Sequence, residues 1–159
     1  IGTDYRPTEM VPAAERAQFL GFRRADGRAG TRNMIALCAT VNCAATVVRY
    51  IADAVERSGM LDDHPEIDGI VALGHDTGCG LTPGPGLENL ERVLWGHATH
   101  PNVCAALFVG LGCEVMQIAR LAQKYEIGLS HCLAYVTRSI SKNSKMIRSV
   151  LQLAARWKY

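Results

Sequence analysis

The segment Leu73 to Gly80, with the sequence LGHDTGCG, places an imidazole, a carboxylate and a thiol among glycines. It overlaps the end of the apolar run at 67–74, which is typical of a β-strand buried on both faces. Imidazoles and carboxylates transfer protons, and thiolates bind soft metal ions. His75, Asp76 and Cys79 are therefore candidate functional residues, and the surrounding elements must explain how they are positioned.

Two further apolar runs, 34–41 and 104–112, also predict buried strands, and a helical pattern follows each of the three strands. The residues predicted to face inward from the three helices are Val47, Val48, Ile51 and Val55, then Leu90, Val93 and Leu94, then Val115, Ile118, Ala119 and Ala122. Asn42 is expected to cap the first helix. Alternating strands and helices with short connections indicate an α/β fold. We predict a Rossmann-like parallel sheet of at least three strands with flanking helices, plus a C-terminal helical tail.

The chain divides into a polar linker at 1–18, the Rossmann-like domain at 19–130 and a basic helical tail at 131–159. Residues 122–159 contain seven Lys or Arg and one acidic residue, which is more typical of a solvated helix face or a contact with an acidic neighbour than of nucleic-acid binding. No apolar run approaches the roughly 18 residues of a membrane span. We expect neither nucleic acid nor a membrane as partner. Because the chain starts at Ile1 without a signal segment, we expect a piece of a longer cytoplasmic protein.

Each predicted strand delivers one cysteine, Cys43, Cys79 or Cys113, to the edge of the sheet where ligands bind in parallel α/β folds. Three thiolates suit a soft metal ion or an iron–sulfur cluster and leave one coordination position open for a substrate hydroxyl or water. Zinc fits the same donors, so the thiols alone do not choose the metal. The alternative is that each cysteine packs as a small hydrophobe, as expected for Cys38 and Cys104 within their strands.

The glycines of this segment do not form a dinucleotide-binding motif, and no P-loop lysine is present, so NAD and ATP are not expected. Arg28, Arg32 and Asn33 follow one another closely in a glycine-rich stretch and could bind a carboxylate, since a guanidinium grips it through two hydrogen bonds. A solvated turn is the alternative for these three residues.

Five stretches, several of them of unusual composition, resemble in this order the altronate/galactarate dehydratases, a family of bacterial sugar-acid dehydratases. They are GFRRADGRAGTRN (21–33), TVNCAATVVR (40–49), VALGHDTGCG (71–80), HPNVCAALFVGLGCE (100–114) and QI (117–118). The resemblance covers about Phe19 to Leu121 and implies the middle domain of a longer enzyme. Beyond about Leu121 no match to the family is apparent, so we expect a middle domain that is either excised or ends prematurely in an unrelated tail.

The resemblance implies a hydro-lyase that converts an altronate-like acid, or galactarate, to a 2-keto-3-deoxy acid with iron as Lewis acid, either Fe²⁺ or a cluster. By analogy, Cys43, Cys79 and Cys113 are candidate iron ligands. His75 is the first candidate for the base, with Asp76 orienting it or serving instead. The expected substrate-binding residues are Arg28, Arg32, Asn33, Asn42 and Thr77.

Two alternatives stay open. The same family resemblance extends to carbon–sulfur lyases that release sulfite from sulfolactate. The second alternative is a truncated, non-catalytic remnant whose basic tail binds an acidic partner or a second copy. The expected partners are a small sugar acid and the missing N- and C-terminal domains, without which this fragment would be inactive. A homo-oligomer is left open.

Overall fold

The computed structural model describes residues 6–112 and 114–125 and the backbone of residues 132–136. In chain order the elements are a short 3-10 helix (Ala13–Glu15), β1 (Phe22–Arg23), β2 (Ala29–Gly30), β3 (Met34–Ala39), α1 (Asn42–Arg57), β4 (Gly69–Leu73), α2 (Pro85–Ala98), β5 (Val103–Gly110), α3 (Ile118–Lys124) and β6 (Cys132–Val136). β1 and β2 form a small antiparallel hairpin. The other four strands form a parallel sheet in the order β4–β3–β5–β6. The α/β fold predicted from the sequence is confirmed.

β3 is the central strand, and successive residues of it pack into two different apolar layers. Ile35 and Leu37 belong to the layer under α1, whereas Ala36 and Cys38 belong to the layer under α2 and α3. This alternation follows from the pleat of a strand, which points neighbouring side chains to opposite faces. A continuous apolar run is therefore needed here, because both faces of the sheet are covered.

Three residues predicted to face inward, Val93, Val115 and Ala119, are exposed instead. Val93 is 54% exposed and Val115 is 38% exposed, while Glu91 and Met116 are fully buried. α2 begins at Pro85, and its buried side chains recur at intervals of three or four residues. The buried residues of this helix are Leu87, Leu90, Glu91, Leu94 and Ala98. Val93 falls outside this stripe, and Val115 precedes α3 in an irregular segment.

The segments near the two ends of the chain, 1–18 and 131–159, were predicted to be a linker and a helical tail. Every residue from 6 to 20 is exposed, and the linker at 1–18 stays a prediction. The strand β6, by contrast, was not predicted, and it lies in the segment 131–159 that was predicted to be a helical tail. The sheet therefore extends beyond residue 130, because residues 132–136 pair with β5. The predicted helix after residue 136 lies outside the described residues. Within the described part of the chain, none of the helices is long and apolar enough to cross a membrane.

A buried carboxylate joins α2 to α3. The side chain of Glu91 is completely buried, and its two oxygens lie 2.5 Å from Arg120 Nε and 2.5 Å from Lys124 Nζ. Burial alone would raise the pKa of the Glu91 carboxyl, but the hydrogen bonds from Lys124 and Arg120 outweigh it and lower the pKa. The carboxylate is thus held ionised inside the helical layer by two cations from the next helix.

Removing both cations, in the double variant Arg120→Ala and Lys124→Ala, is expected to destabilise the protein by about 2 kcal/mol at neutral pH. The loss is smaller than the roughly 3–5 kcal/mol of a fully buried pair because both cations are partly exposed. A carboxyl whose pKa is lowered on folding stabilises the protein above its unfolded-state pKa and ceases to do so as the pH falls through the folded-state pKa. The difference between wild type and double variant should therefore shrink on acidification.

Urea denaturation at neutral pH and at stepwise lower pH measures this difference. The matched control is Arg92→Ala on α2, since Arg92 is exposed and, among the described residues, hydrogen-bonds only to the Asn89 side chain of the same helix. A destabilisation of the double variant that is no larger than that of the control would contradict the role of Glu91.

Candidate functional site

The parallel order of the strands brings the ends of β3, β4 and β5 to one side of the sheet. We call residues 40–43, 74–80, 111–112 and 114 the carboxyl edge, and the opposite side, where these strands begin, the amino edge. Both exposed candidate thiols, Cys43 and Cys79, lie in the carboxyl edge. The strand alternation read from the sequence therefore places their loops together.

His75 fastens the loop after β4 to the end of β3. Its Nε2 lies 2.9 Å from the carbonyl oxygen of Ala39, and its Nδ1 lies 3.3 Å from the backbone nitrogen of Thr77. Because a carbonyl can only accept, Nε2 carries the proton, and Nδ1 accepts from the Thr77 N–H. The ring is thus a neutral tautomer with both nitrogens hydrogen-bonded. In this arrangement neither nitrogen is free to take a proton from a substrate.

Asp76 lies next to this anchored histidine and is exposed. Among the residues that the structure describes, its carboxylate has no hydrogen-bond or ion-pair partner. Thr77 and Cys79 are also exposed on the same loop. The free acid–base group of this loop is therefore Asp76, although the sequence alone favoured His75.

Gly78 allows the loop to lie directly against the end of β3. Its φ of 109° lies in the region that glycine adopts without strain. A Cβ atom at this position would lie 3.0 Å from Val41 Cα and 3.1 Å from the carbonyl oxygen of Thr40. A side chain here would push the loop, and with it Cys79, away from the sheet.

In the first turn of α1, the backbone N–H groups donate hydrogen bonds to acceptors within the protein. The N-cap is Val41 rather than the predicted Asn42, and Asn42 is the first helical residue. The Asn42 N–H donates to the carbonyl oxygen of Thr77 at 2.8 Å, and the Cys43 N–H donates to the Asn42 side chain at 3.0 Å. The Ala44 N–H donates to the Val41 carbonyl at 2.9 Å. This helix start therefore ties α1 to the loop carrying Thr77 and does not present free N–H groups to an anion.

Thr40 and Glu114 form a buried polar pair that was not among the predicted site residues. Glu114 is 4% exposed, and its Oε1 lies 2.7 Å from Thr40 Oγ1. Its Oε2 accepts the backbone N–H groups of Gly112 at 2.8 Å and Leu111 at 3.3 Å. Burial alone would raise the pKa of the Glu114 carboxyl, but hydrogen bonds from backbone amides and from Thr40 outweigh it and lower the pKa. The sequence signal was weak: a glutamate two residues after the glycine that ends an apolar run.

Arg28, Arg32 and Asn33 lie at the amino edge and not at the carboxyl edge. Arg28 Nη2 donates to the carbonyl oxygen of Thr99, just after α2, and pairs with Asp26 at 2.7 Å. Arg32 Nη1 donates to the carbonyl oxygen of the preceding residue, and Asn33 directly precedes β3. The six residues of β3 span about 20 Å. The structure does not bring these side chains together with His75 and Cys79, and the length of β3 excludes one pocket shared by both groups within this domain.

The described thiols fall into two kinds. Cys43 and Cys79 are exposed and free, whereas Cys38 is buried in β3. Cys104 lies in β5 with its Sγ 3.3 Å from the Met34 carbonyl, and burial raises the pKa of its thiol to about 11. Cys113, the third predicted ligand, lies outside the described residues. Within 6–112 and 114–125, no three His, Cys, Asp or Glu side chains are close enough to hold a metal ion. The predicted three-thiol centre stays a prediction that depends on Cys113.

The model of one protein family, described as D-galactarate dehydratase/Altronate hydrolase, second domain, matches residues 21–158. The match includes the hairpin β1–β2, the whole parallel sheet and the segment that follows β6. It corrects the expectation that the family resemblance ends near Leu121, and of the two alternatives for the remaining residues it contradicts the unrelated tail. The basic C-terminal segment belongs to the same family domain.

Three curated relatives are named as dehydratases of altronate or galactarate. The altronate dehydratase of Bacillus subtilis (strain 168) is 33% identical over 109 residues, which cover 69% of this chain and 21% of the relative. The altronate dehydratase of Escherichia coli (strain K12) is 33% identical over 98 residues, which cover 62% of this chain and 19% of the relative. The galactarate dehydratase (L-threo-forming) of Escherichia coli (strain K12) is 31% identical over 114 residues, which cover 71% of this chain and 22% of the relative.

The aligned part of this chain spans about a fifth of the length of these relatives. No solved structure matches the chain significantly. The family match nevertheless covers most of the chain, from the hairpin through the parallel sheet and beyond it. The chain therefore belongs to the D-galactarate dehydratase/altronate hydrolase family, of which it is the second domain.

Proposed function

We propose that this chain is a domain of a hydro-lyase that dehydrates a sugar acid, altronate or a close relative such as galactarate, to a 2-keto-3-deoxy acid. The family match over residues 21–158 carries this proposal, together with three relatives that are all named as dehydratases of such acids. Because the aligned part of the chain spans about a fifth of those relatives, the activity is proposed for the complete protein that contains this domain.

The reaction needs a base, because the proton next to a carboxylate is only weakly acidic. We assign this step to Asp76, whose exposed carboxylate has no partner among the described residues. His75 then acts by holding the loop that presents Asp76, since both of its ring nitrogens are hydrogen-bonded. Thr77 and Asn42, exposed and joined by a backbone hydrogen bond, are proposed to bind substrate hydroxyls.

The hydroxyl group must leave as water, and a Lewis acid would assist this step. We propose that Cys43, Cys79 and Cys113 hold iron, as Fe²⁺ or as a cluster. Two observations support a fit: Cys43 and Cys79 are free and exposed, and both lie in the carboxyl edge. Bound iron would withdraw electron density from the leaving hydroxyl.

The complete enzyme, purified without oxygen, is expected to convert altronate or galactarate to a 2-keto acid, detected as its semicarbazone. Sulfolactate is the discriminating substrate, since its turnover with release of sulfite, and no turnover of either sugar acid, would show a carbon–sulfur lyase instead. No turnover of any of the three acids would contradict the proposed function.

Cys79→Ala in the complete enzyme is expected to lower bound iron by at least about tenfold, because a missing thiolate removes one of three proposed ligands. The control is Cys104→Ala, since this thiol lies in a strand and its raised pKa keeps it protonated at neutral pH. Metal analysis of both variants measures the effect. Equal iron in wild type and Cys79→Ala would remove Cys79 from the metal centre.

Asp76→Asn is expected to lower kcat by about 10²- to 10⁴-fold with iron content unchanged, because the amide has the shape of the carboxylate but cannot take a proton. Asp63→Asn is the matched control, since Asp63 is an exposed aspartate beyond the end of α1, at the amino edge. Steady-state kinetics compare these variants with His75→Ala. A normal kcat for Asp76→Asn alongside no turnover for His75→Ala would make His75 the base.

A further inference from the structure

Thr40 and Glu114 link two different strand ends inside the carboxyl edge. Thr40 directly follows β3, and its backbone N–H donates to the carbonyl oxygen of Val109 in β5 at 2.9 Å. Its hydroxyl lies 2.7 Å from Glu114 Oε1 and 3.2 Å from that same carbonyl oxygen. Because an ionised carboxylate only accepts hydrogen bonds, the single hydroxyl proton points to Glu114. A fully buried hydroxyl and a nearly fully buried carboxylate therefore bridge β3 to the loop after β5.

Gly110, the last residue of β5, has no side chain and so leaves space for the bridge between Thr40 and Glu114. A Cβ atom on Gly110 would lie 2.1 Å from Glu114 Oε1 and 2.5 Å from Thr40 Oγ1. Both distances are far below any real contact of a Cβ atom. Any side chain here would push the carboxylate and the hydroxyl apart, so the bridge depends on a glycine at this residue.

The other carboxylate oxygen fixes the loop itself. It accepts the N–H groups of Leu111 and Gly112, so the chain folds around the carboxylate immediately after β5. Gly112 has a φ of 89°, which turns the chain sharply at this point. Gln117 holds the same turn from the other side, since its Nε2 donates to the carbonyl oxygens of Glu114 and Gly112. The direction in which the chain leaves β5 is thus set relative to Thr40.

We propose that Thr40 and Glu114 are positioning residues for the reaction at the carboxyl edge. They set the spacing between the start of α1, with Asn42 and Cys43, and the loop after β5. This inference rests on the proposed function, since it concerns the geometry of that reaction, and neither residue touches the substrate in it. A displacement of about 1 Å at a reacting group is enough to cost around a hundredfold in rate.

The test compares four variants of the complete enzyme by steady-state kinetics, at a temperature well below each unfolding midpoint. Thr40→Val removes the hydroxyl and keeps the shape, whereas Thr40→Ser keeps the hydroxyl. Gly110→Ala displaces the carboxylate without removing a polar group. Gly96→Ala is the control, since Gly96 is an exposed glycine of α2 with open space around its Cβ position.

Thr40→Val and Gly110→Ala are expected to lower kcat by about tenfold or more, with KM changed by less than about threefold, because a misplaced reacting group affects the transition state more than ground-state binding. Thr40→Ser and Gly96→Ala should stay within about twofold of wild type in kcat. A purely structural role predicts a lower unfolding midpoint with an unchanged kcat, and that result for Thr40→Val would overturn the proposal.

Amide hydrogen exchange of the peptide that contains Leu111 and Gly112 gives a readout independent of turnover. Faster exchange in Thr40→Val, or in Gly110→Ala should Thr40→Val not fold, is the expected result, because both N–H groups donate to the displaced carboxylate. Unchanged exchange would overturn the proposal even if the wild-type enzyme proves inactive. An inactive wild type with faster exchange in the variant would contradict the proposed function and leave the bridge itself supported.

Discussion

The end of the central strand is the point to which the loops of the carboxyl edge are attached. The carbonyl oxygen of Ala39 accepts from His75, and the hydroxyl of Thr40 donates to Glu114. The N–H of Asn42 donates to the carbonyl oxygen of Thr77. Three residues of the segment 39–42 thus hold both neighbouring loops, one after β4 and one after β5.

Such an arrangement is stable because the buried polar groups within it are paired. An unpaired carboxylate in the protein interior would cost several kcal/mol, which is comparable to the whole free energy of unfolding of a small domain. Glu114 receives three hydrogen bonds in its side chain and so remains buried. The same pairing makes the edge rigid, because moving one of these groups would leave its buried partner without a hydrogen bond. Glycines at 78 and 110 are the steric condition for it, since Cβ atoms there would meet residues 40 and 41 or the carboxylate.

The sequence was sufficient for three of the four described parallel strands and insufficient for these contacts, for a physical reason. Continuous apolar runs reveal strands buried on both faces, and β3, β4 and β5 were found in that way. The same reasoning expects charged residues to be exposed, so the burial of the carboxylates Glu91 and Glu114 was not predicted. Their partners lie 29 and 74 residues away in the chain, and only the fold brings them together. The tautomer of His75 is set by a carbonyl 36 residues earlier and is equally invisible in the sequence.

The position of the arginines could have been predicted from the sequence, and it affects the charge balance at the carboxyl edge. Asn33 directly precedes β3, so Arg28 and Arg32 had to lie near the amino edge. Over about 20 Å their attraction for an anion at the other edge is largely screened, because the Debye length at physiological salt is about 8 Å. The carboxyl edge itself contains the carboxylates of Asp76 and Glu114, which repel an anionic sugar acid. A cation must offset that repulsion, and the predicted arginines do not supply it. We therefore propose that iron at the thiols, or a basic residue outside the described part of the chain, supplies that positive charge.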